Sequence, residues 1–226
     1  MAKIWEGIGI SKTYQNHTAL EPLTIYFTAG ECASLCGGNG AGKSTLLQLI
    51  AGVLTPSSGS IHLATGTKIS YMPDRLEFPS KITAYEFLLF IAKMKQCTKQ
   101  EVLSKLAKVG LDTAAEKQVA TFSKGMQQRL LLAQAMLGDP DILLLDEPGN
   151  GLDPYWIDLW KKILHEYKEM GKTVIFSSHV LHDVVDVADR VLLFNQGKMI
   201  DDSPVVAWKE AGRNWNELFL EKLAEG

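Results

Sequence analysis

The spacing of apolar positions changes period several times along this chain, and each change marks an element. Residues 23–36 (LTIYFTAGECASLC) predict two strands joined at Ala29-Gly30. A glycine-rich stretch follows, and 43–51 then takes a helical pattern that runs into Gly52. Two short β-rich runs, IHL and KISYM, occupy 60–73 and close at Pro73. From 74 to 138 the pattern is helical throughout. Thr83 with Glu86 and Thr98 with Glu101 read as two capping boxes, in which threonine caps an amide and glutamate reaches back. The first box opens a helix lasting to about Met94. The second opens one with Val102, Leu103, Leu106 and Val109 on one stripe, stopped by Gly110. A third helix starts near Ser123 and continues to Gly138 and Pro140, so 75–138 is expected to form a separate helical lobe.

Beyond Pro140 strands and helices alternate again. DILLLD and KTVIFSS are apolar without alternation, as strands covered on both faces are. Asp153 and Pro154 supply an N-cap and a proline at the first helical position. The helix behind them presents Trp156, Trp160, Ile163, Leu164 and Tyr167 and ends at Gly171. VLLFNQGKMI predicts a hairpin turning at 195–197, and a weakly amphipathic helix is expected near 216–224. The glycine-rich stretch at 37–44 fits G-x-x-x-x-G-K-[ST] between a strand and a helix. The expected fold class is therefore α/β: a P-loop NTPase core with a mainly parallel sheet, an antiparallel N-terminal β region and the inserted helical lobe, all within one domain over 1–226.

Composition narrows the function. With 226 residues, 46% of them apolar and 22% charged, the chain is neither disordered nor a disulfide scaffold. A net charge of −3 argues against a broadly basic nucleic-acid surface, and no nucleic-acid partner is expected. No apolar run reaches the roughly 18 residues of a membrane span, and the first residues carry no apolar signal-peptide core. A cytoplasmic location is the expectation. Cys32, Cys36 and Cys97 form no disulfide framework; Cys32 and Cys36, four apart on a strand, share one face as small buried residues.

Gly37, Gly38, Asn39, Gly40, Ala41, Gly42, Lys43 and Ser44 fit G-x-x-x-x-G-K-[ST] between a strand and a helix. Such a loop turns backbone amides toward a phosphate, and the helix N-terminus that follows adds partial positive charge. Lys43 suits the β- and γ-phosphates, and the Ser44 hydroxyl suits one Mg²⁺ position. Asp146 and Glu147 end the strand DILLLD at the sheet edge where α/β ligands bind. One acid there can hold Mg²⁺, and the other can orient an attacking water. Taken alone, Asp-Glu-Pro is also an ordinary turn; beside a phosphate loop the functional reading is much the stronger.

Phe122-Ser-Lys-Gly-Met-Gln-Gln-Arg129 resembles the signature motif of ATP-binding cassette (ABC) proteins. Gly-Leu-Asp153 resembles their D-loop, and Ser177-Ser-His179 resembles the segment bearing their switch histidine. Tyr14 matches the aromatic that stacks on adenine, although an ordinary strand-edge tyrosine fits the same position. Tyr71-Met-Pro-Asp74 stands where the Q-loop would be. The motifs keep the family's order over residues 14–179.

Two departures stand out. Lys124 and Met126 replace the third and fifth residues of Leu-Ser-Gly-Gly-Gln, a form familiar from the drug- and antibiotic-export branch. Asp74 replaces a glutamine and is either a further metal ligand or a turn-capping residue.

The resemblance implies the ATPase subunit of an ABC transporter, probed by the following roles. Tyr14, residues 37–45 through Thr45, Ser123, Gly125 and Asp153 contact ATP. Ser44, Asp146 and Asp74 serve Mg²⁺. Glu147, His179 and Lys43 do the chemistry. It further implies a separate membrane permease that holds the chain at the inner face of the membrane, and a homodimer, or a pair with a second cassette subunit, that clamps ATP. The alternative is a soluble ABC ATPase acting on a non-membrane partner; the double cassettes, coiled coils and zinc insertions of such proteins are missing from this sequence. His17, His62, His165 and His182 match no motif and read as surface or satisfied histidines.

Overall fold

A computed structural model describes residues 2–210, 217 and 221, with the main chain alone at 181–183. The tail helix expected near 216–224 therefore lies almost wholly outside the described residues. Nine strands among them form two sheets. The smaller is antiparallel in the order β2 (His17–Thr28), β1 (Lys3–Tyr14) and β4 (Ser58–Leu63). The larger runs β5 (Ile69–Met72), β6 (Ile142–Leu145), β7 (Thr173–Ser178), β3 (Cys32–Gly37), β8 (Arg190–Asn195) and β9 (Lys198–Pro204). Every pairing in it is parallel except the β8–β9 hairpin. The fold is thus the expected α/β one, and the two strands around Ala29-Gly30 belong to different sheets.

The apolar strands are explained by what covers them. One face of the large sheet gives Ala33, Leu35, Ile142, Leu144, Ile175, Leu192 and Phe194 to a core shared with α1 (Lys43–Ile50) and with Trp5, Ile25 and Phe27 of the small sheet. The other face gives Cys32, Cys36, Leu143, Leu145, Val174, Phe176, Val191 and Leu193 to a second core. Successive residues thus point to opposite, equally dry sides. Cys32 and Cys36 share a face as expected, and burial raises both thiols, Cys36 to about 11 and Cys32 to about 12.

The second core continues without a break into the helical segment. α2 (Ala84–Met94) carries the full Thr83–Glu86 capping box. α3 (Lys99–Lys108) is only half as expected: Thr98 Oγ1 accepts from Glu101 N, but Glu101 Oε1 accepts from Gly138 N at 2.8 Å. That glutamate ties the start of α3 to the end of the lobe instead of closing its own cap. Leu103 is exposed, so the buried stripe narrows to Val102, Leu106 and Val109. α4 (Lys124–Ala135) starts at the Ser123 N-cap and packs on β5 and β6. Leu130, Ala133 and Leu137 lie in one cluster with Leu143 and Leu145. The lobe is helical, but it has no sealed core of its own.

α5 (Pro154–Glu169) buries Trp160, Ile163, Leu164 and Tyr167. Trp156 departs from that list: it is half-buried, with the Arg129 guanidinium 3.6 Å from its ring centre. Arg129 Nη1 donates to the carbonyls of Val109 and Gly110, so one side chain joins the end of α3, α4 and α5. α6 (Leu181–Val187) and α7 (Val205–Glu210) are the remaining named helices among the described residues. The β8–β9 turn at Gln196 and Gly197 has positive φ at both residues, as a twisted two-residue hairpin requires. Gly197 N donates to Ala41 O, and Gly197 O accepts from Glu21 N. This turn braces the loop after β3 against β2.

Gly110 has φ +63°, and a methyl group there would come within 2.3 Å of the Trp156 ring. Gly110→Ala is expected to destabilise the fold by about 2 kcal/mol or more, because both the backbone and the Arg129–Trp156 stack must shift. Urea unfolding of the two proteins checks this.

Candidate active site

Four parallel strands set the site, because their C-terminal ends open on one edge of the large sheet. β3 delivers Gly37, β6 delivers Asp146 and Glu147, β7 delivers Ser177 and His179, and β5 leads to Asp74. The loop after β3 passes so close to its neighbours that side chains are excluded. A Cβ at Gly37 (φ +149°) would lie 2.3 Å from Phe194 O, and one at Gly42 (φ +100°) would lie 2.7 Å from Ala19 O. Gly42 is the N-cap of α1 and supplies no side-chain cap, so no side chain competes for the first amides of that helix.

Lys43 is only 6% exposed. Its ammonium donates to Gly37 O at 2.8 Å and to Gly38 O at 3.1 Å, and lies 3.6 Å from Glu147 Oε1. The other Glu147 oxygen, Oε2, is 2.7 Å from His179 Nδ1. One carboxylate therefore joins the loop lysine to the histidine after β7.

Asp146 is 3% exposed. Its partners among the described residues are hydroxyls: Ser44 Oγ at 3.0 Å and Ser177 Oγ at 2.7 Å donate to Oδ1, and Tyr71 OH at 3.3 Å donates to Oδ2. Burial pushes this carboxyl above the usual carboxylate range; the Ser177 and Ser44 bonds oppose the shift and the Glu147 charge adds to it. The Tyr71 hydroxyl is raised for the same reasons, burial first and then the Asp146 charge.

Glu147 has φ +50°, a left-handed conformation that costs a non-glycine residue about 1–3 kcal/mol. Three bonds hold it there: Glu147 N donates to Ser177 Oγ at 2.8 Å, and Glu147 O accepts from Asn150 N and from Gln128 Nε2. Ser177 thus accepts from one acid's backbone while donating to the other acid's side chain.

A cavity of about 320 Å³ opens over the loop, lined by Tyr14, His17, Ala19, Asp74, Glu147 and residues 39–45 through Thr45. Tyr14 stands at its rim, 43% exposed. Of the expected positions, 39–45, Glu147, Asp74 and Tyr14 therefore meet here, and His17, set aside as a surface histidine, meets them too; Gly37, Gly38, Asp146 and His179 do not line the cavity. Ser123, Gly125 and Asp153 do not line this cavity. Ser123 caps α4, Asp153 caps α5 through Trp156 N, and Gly125 packs on Gly151 O. Ser177, Tyr71, Gln128 and Asn150 are the site residues that motif reading does not single out.

The family model described as ABC transporter matches residues 20–150, which hold the loop, both acids and Asn150. The chain belongs to the ABC transporter family. An ABC transporter ATP-binding protein of Synechocystis sp. is 38% identical over 221 residues; the match covers 88% of this chain, which spans 62% of that relative's length. The lantibiotic transport ATP-binding protein SrtF of Streptococcus pyogenes is 32% identical, with 95% of each chain covered. A solved ATP-binding subunit of an ABC transporter superposes with a TM-score of 0.86 at 26% identity, covering 97% of this chain and 99% of the other. This chain is an ABC cassette, and its cavity opens over the loop, Glu147 and Tyr14 that the family motifs single out.

Removing the Ser177 hydroxyl takes one bond from each acid. Ser177→Ala is expected to cost about 1–3 kcal/mol of stability at neutral pH. It also raises the Asp146 carboxyl further, so the folded variant takes up a proton more readily than the unfolded chain does. Its deficit is therefore largest at high pH and narrows as pH falls and Asp146 is protonated. Urea unfolding across a pH series checks both the size and the sign.

Proposed function

We propose that this chain is the subunit that hydrolyses MgATP to ADP and phosphate for a separate membrane permease, at the inner face of the membrane, and that it serves export. The relation to a lantibiotic transport ATP-binding protein and the Ser-Lys-Gly-Met form of the signature support export. Among the described residues no helix is long and apolar enough to cross a membrane, and in this reading the permease supplies the pathway for cargo. Ser123 and Gly125 lie away from the cavity over the phosphate loop, which supports a second cassette, identical or related, whose phosphate loop they would face.

In this reading the amides of 37–45 and the α1 N-terminus cradle the phosphates, and Tyr14 stacks on the base. Lys43 exchanges neutral carbonyl partners for phosphate oxygens. Ser44 and Asp146 fit Mg²⁺: both offer oxygen, they already touch, and the buried Asp146 carboxylate has hydroxyls but no cation among its partners in the described residues. Asp74 faces the same cavity and is a further candidate. The metal, when bound, would neutralise charge on the phosphates. Glu147 orients the attacking water and accepts its proton, with His179 and Lys43 fixing the two oxygens of its carboxylate. His179 is then placed to meet the γ-phosphate.

The observation that carries this reading is the Lys43–Glu147–His179 chain beside the Ser44–Asp146 pair. Glu147→Gln is expected to lower kcat by about 10²-fold or more while ATP affinity is kept. Lys43→Ala is expected to lose ATP affinity while the circular dichroism spectrum stays unchanged. Wild-type turnover in the first variant, or wild-type affinity in the second, would overturn the assignment.

A further inference from the structure

Two of the three positions at which this chain leaves the family pattern, Asp74 and Lys124, are joined through a further residue. Asn150 Oδ1 accepts from Lys124 Nζ at 2.8 Å, and Asn150 Nδ2 donates to Asp74 Oδ1 at 3.1 Å. Lysine can only donate and an ionised carboxylate can only accept, so the middle group must do both; the side-chain amide meets that need in one planar unit. The amide orientation is fixed by its neighbours.

Asn150 reaches a third segment through its main chain, because its N–H donates to Glu147 O at 3.0 Å. That carbonyl belongs to the residue held at φ +50°. One asparagine therefore ties together the chain leaving β5, the first residue of α4 and the loop that carries Glu147. The packing around it favours this arrangement. Gly151 (φ +78°) leaves room for the Lys124 stem, since a Cβ there would lie 2.9 Å from Lys124 Cδ. The Gly125 backbone closes on Gly151 O.

We propose that Asn150 is a positioning residue that sets the aim of Glu147 by holding Asp74 and Lys124 at a fixed separation. This rests on the reading of Glu147 as the group that orients water. Asn150 does not line the cavity over the phosphate loop, so its contribution falls on turnover more than on nucleotide binding.

The test is a double-substitution cycle on the full chain, with steady-state ATPase kinetics for wild type, Asn150→Asp, Asp74→Asn and the pair. Asn150→Asp sets a carboxylate against the Asp74 carboxylate, and kcat is expected to fall about tenfold with a smaller change in KM. In the Asp74→Asn background the same change is expected to cost less than about threefold, because an amide at 74 can donate to a carboxylate at 150. Equal costs in the two backgrounds would overturn the proposal. Asn150→Ala, which removes both bonds without setting two carboxylates together, should also lower kcat; wild-type kcat in this variant would overturn it independently. Urea unfolding of the same four proteins separates positioning from stability: coupling in stability without coupling in kcat would also overturn the proposal. Failure of the underlying reading of Glu147 is distinct, because Glu147→Gln would then keep wild-type turnover.

Discussion

A carboxylate buried at the end of an apolar strand is the constraint that organises this molecule. Removing such a charge from water costs several kcal/mol unless hydrogen bonds or a cation offset it. Asp146 meets the cost with three hydroxyls, from α1, β5 and β7. Those elements must therefore converge on one point, which fixes the phosphate loop and its helix relative to β6. The parallel register makes the convergence possible, since β3, β5, β6 and β7 all present their C-terminal ends on the same edge. The dry packing on both faces of the sheet holds the strands that deliver the hydroxyls. Hydroxyls satisfy the carboxylate without neutralising it, so a divalent cation would still gain from the charge.

Ser177 extends that constraint to the next residue. Its hydroxyl donates to Asp146 and accepts from the Glu147 amide, so the two acids are held by one oxygen. Glu147 is thereby kept in an unfavourable backbone conformation, and its side chain is turned toward Lys43 and His179. Strain of this kind persists only where the surroundings over-determine it. Here β7 fixes the amide, while α4 and the following loop fix the carbonyl. The helical lobe takes part through Gln128 of α4, and its apolar core is continuous with the sheet face beneath the acids.

Much of this was legible in the sequence because the local chemistry is strong. The glycines and Lys43 of the loop, the uninterrupted apolar strands and the acids after Leu145 each have a short-range signature. So do Thr83 with Glu86 and Asp153 with Pro154, both of which cap helices as read. What escaped depends on tertiary geometry. Glu101 is spaced for a capping box, yet Gly138 N, distant in sequence, claims its carboxylate. Leu103 fits a helical stripe, but its side falls outside the core. The first strand carries Gly7 and Gly9, and register shifts along it break a simple alternation. Ser177 reads as one of two adjacent serines; only the β3–β7–β6 order shows which of them faces the acids. Asn150 belongs to no motif read in the sequence, and its partners emerge only once Lys124 and Asp74 are placed on either side of it.

Lys43 shows how the same geometry prepares for an anion without being built from one. A buried ammonium needs acceptors, and the loop supplies two carbonyls from its own backbone, with Glu147 3.6 Å away. Those carbonyls are neutral, and bonds between a charged donor and a charged acceptor are roughly twice as strong as neutral ones. A phosphate entering the cradle can therefore compete for the lysine. Glu147 already lies nearer His179, at 2.7 Å, than Lys43, at 3.6 Å. In the proposed reading, a phosphate that draws Lys43 away leaves Glu147 to His179, which couples nucleotide binding to the general base through a single carboxylate. The loop, the acid and the histidine come from three different strands, and the sheet register makes that coupling possible.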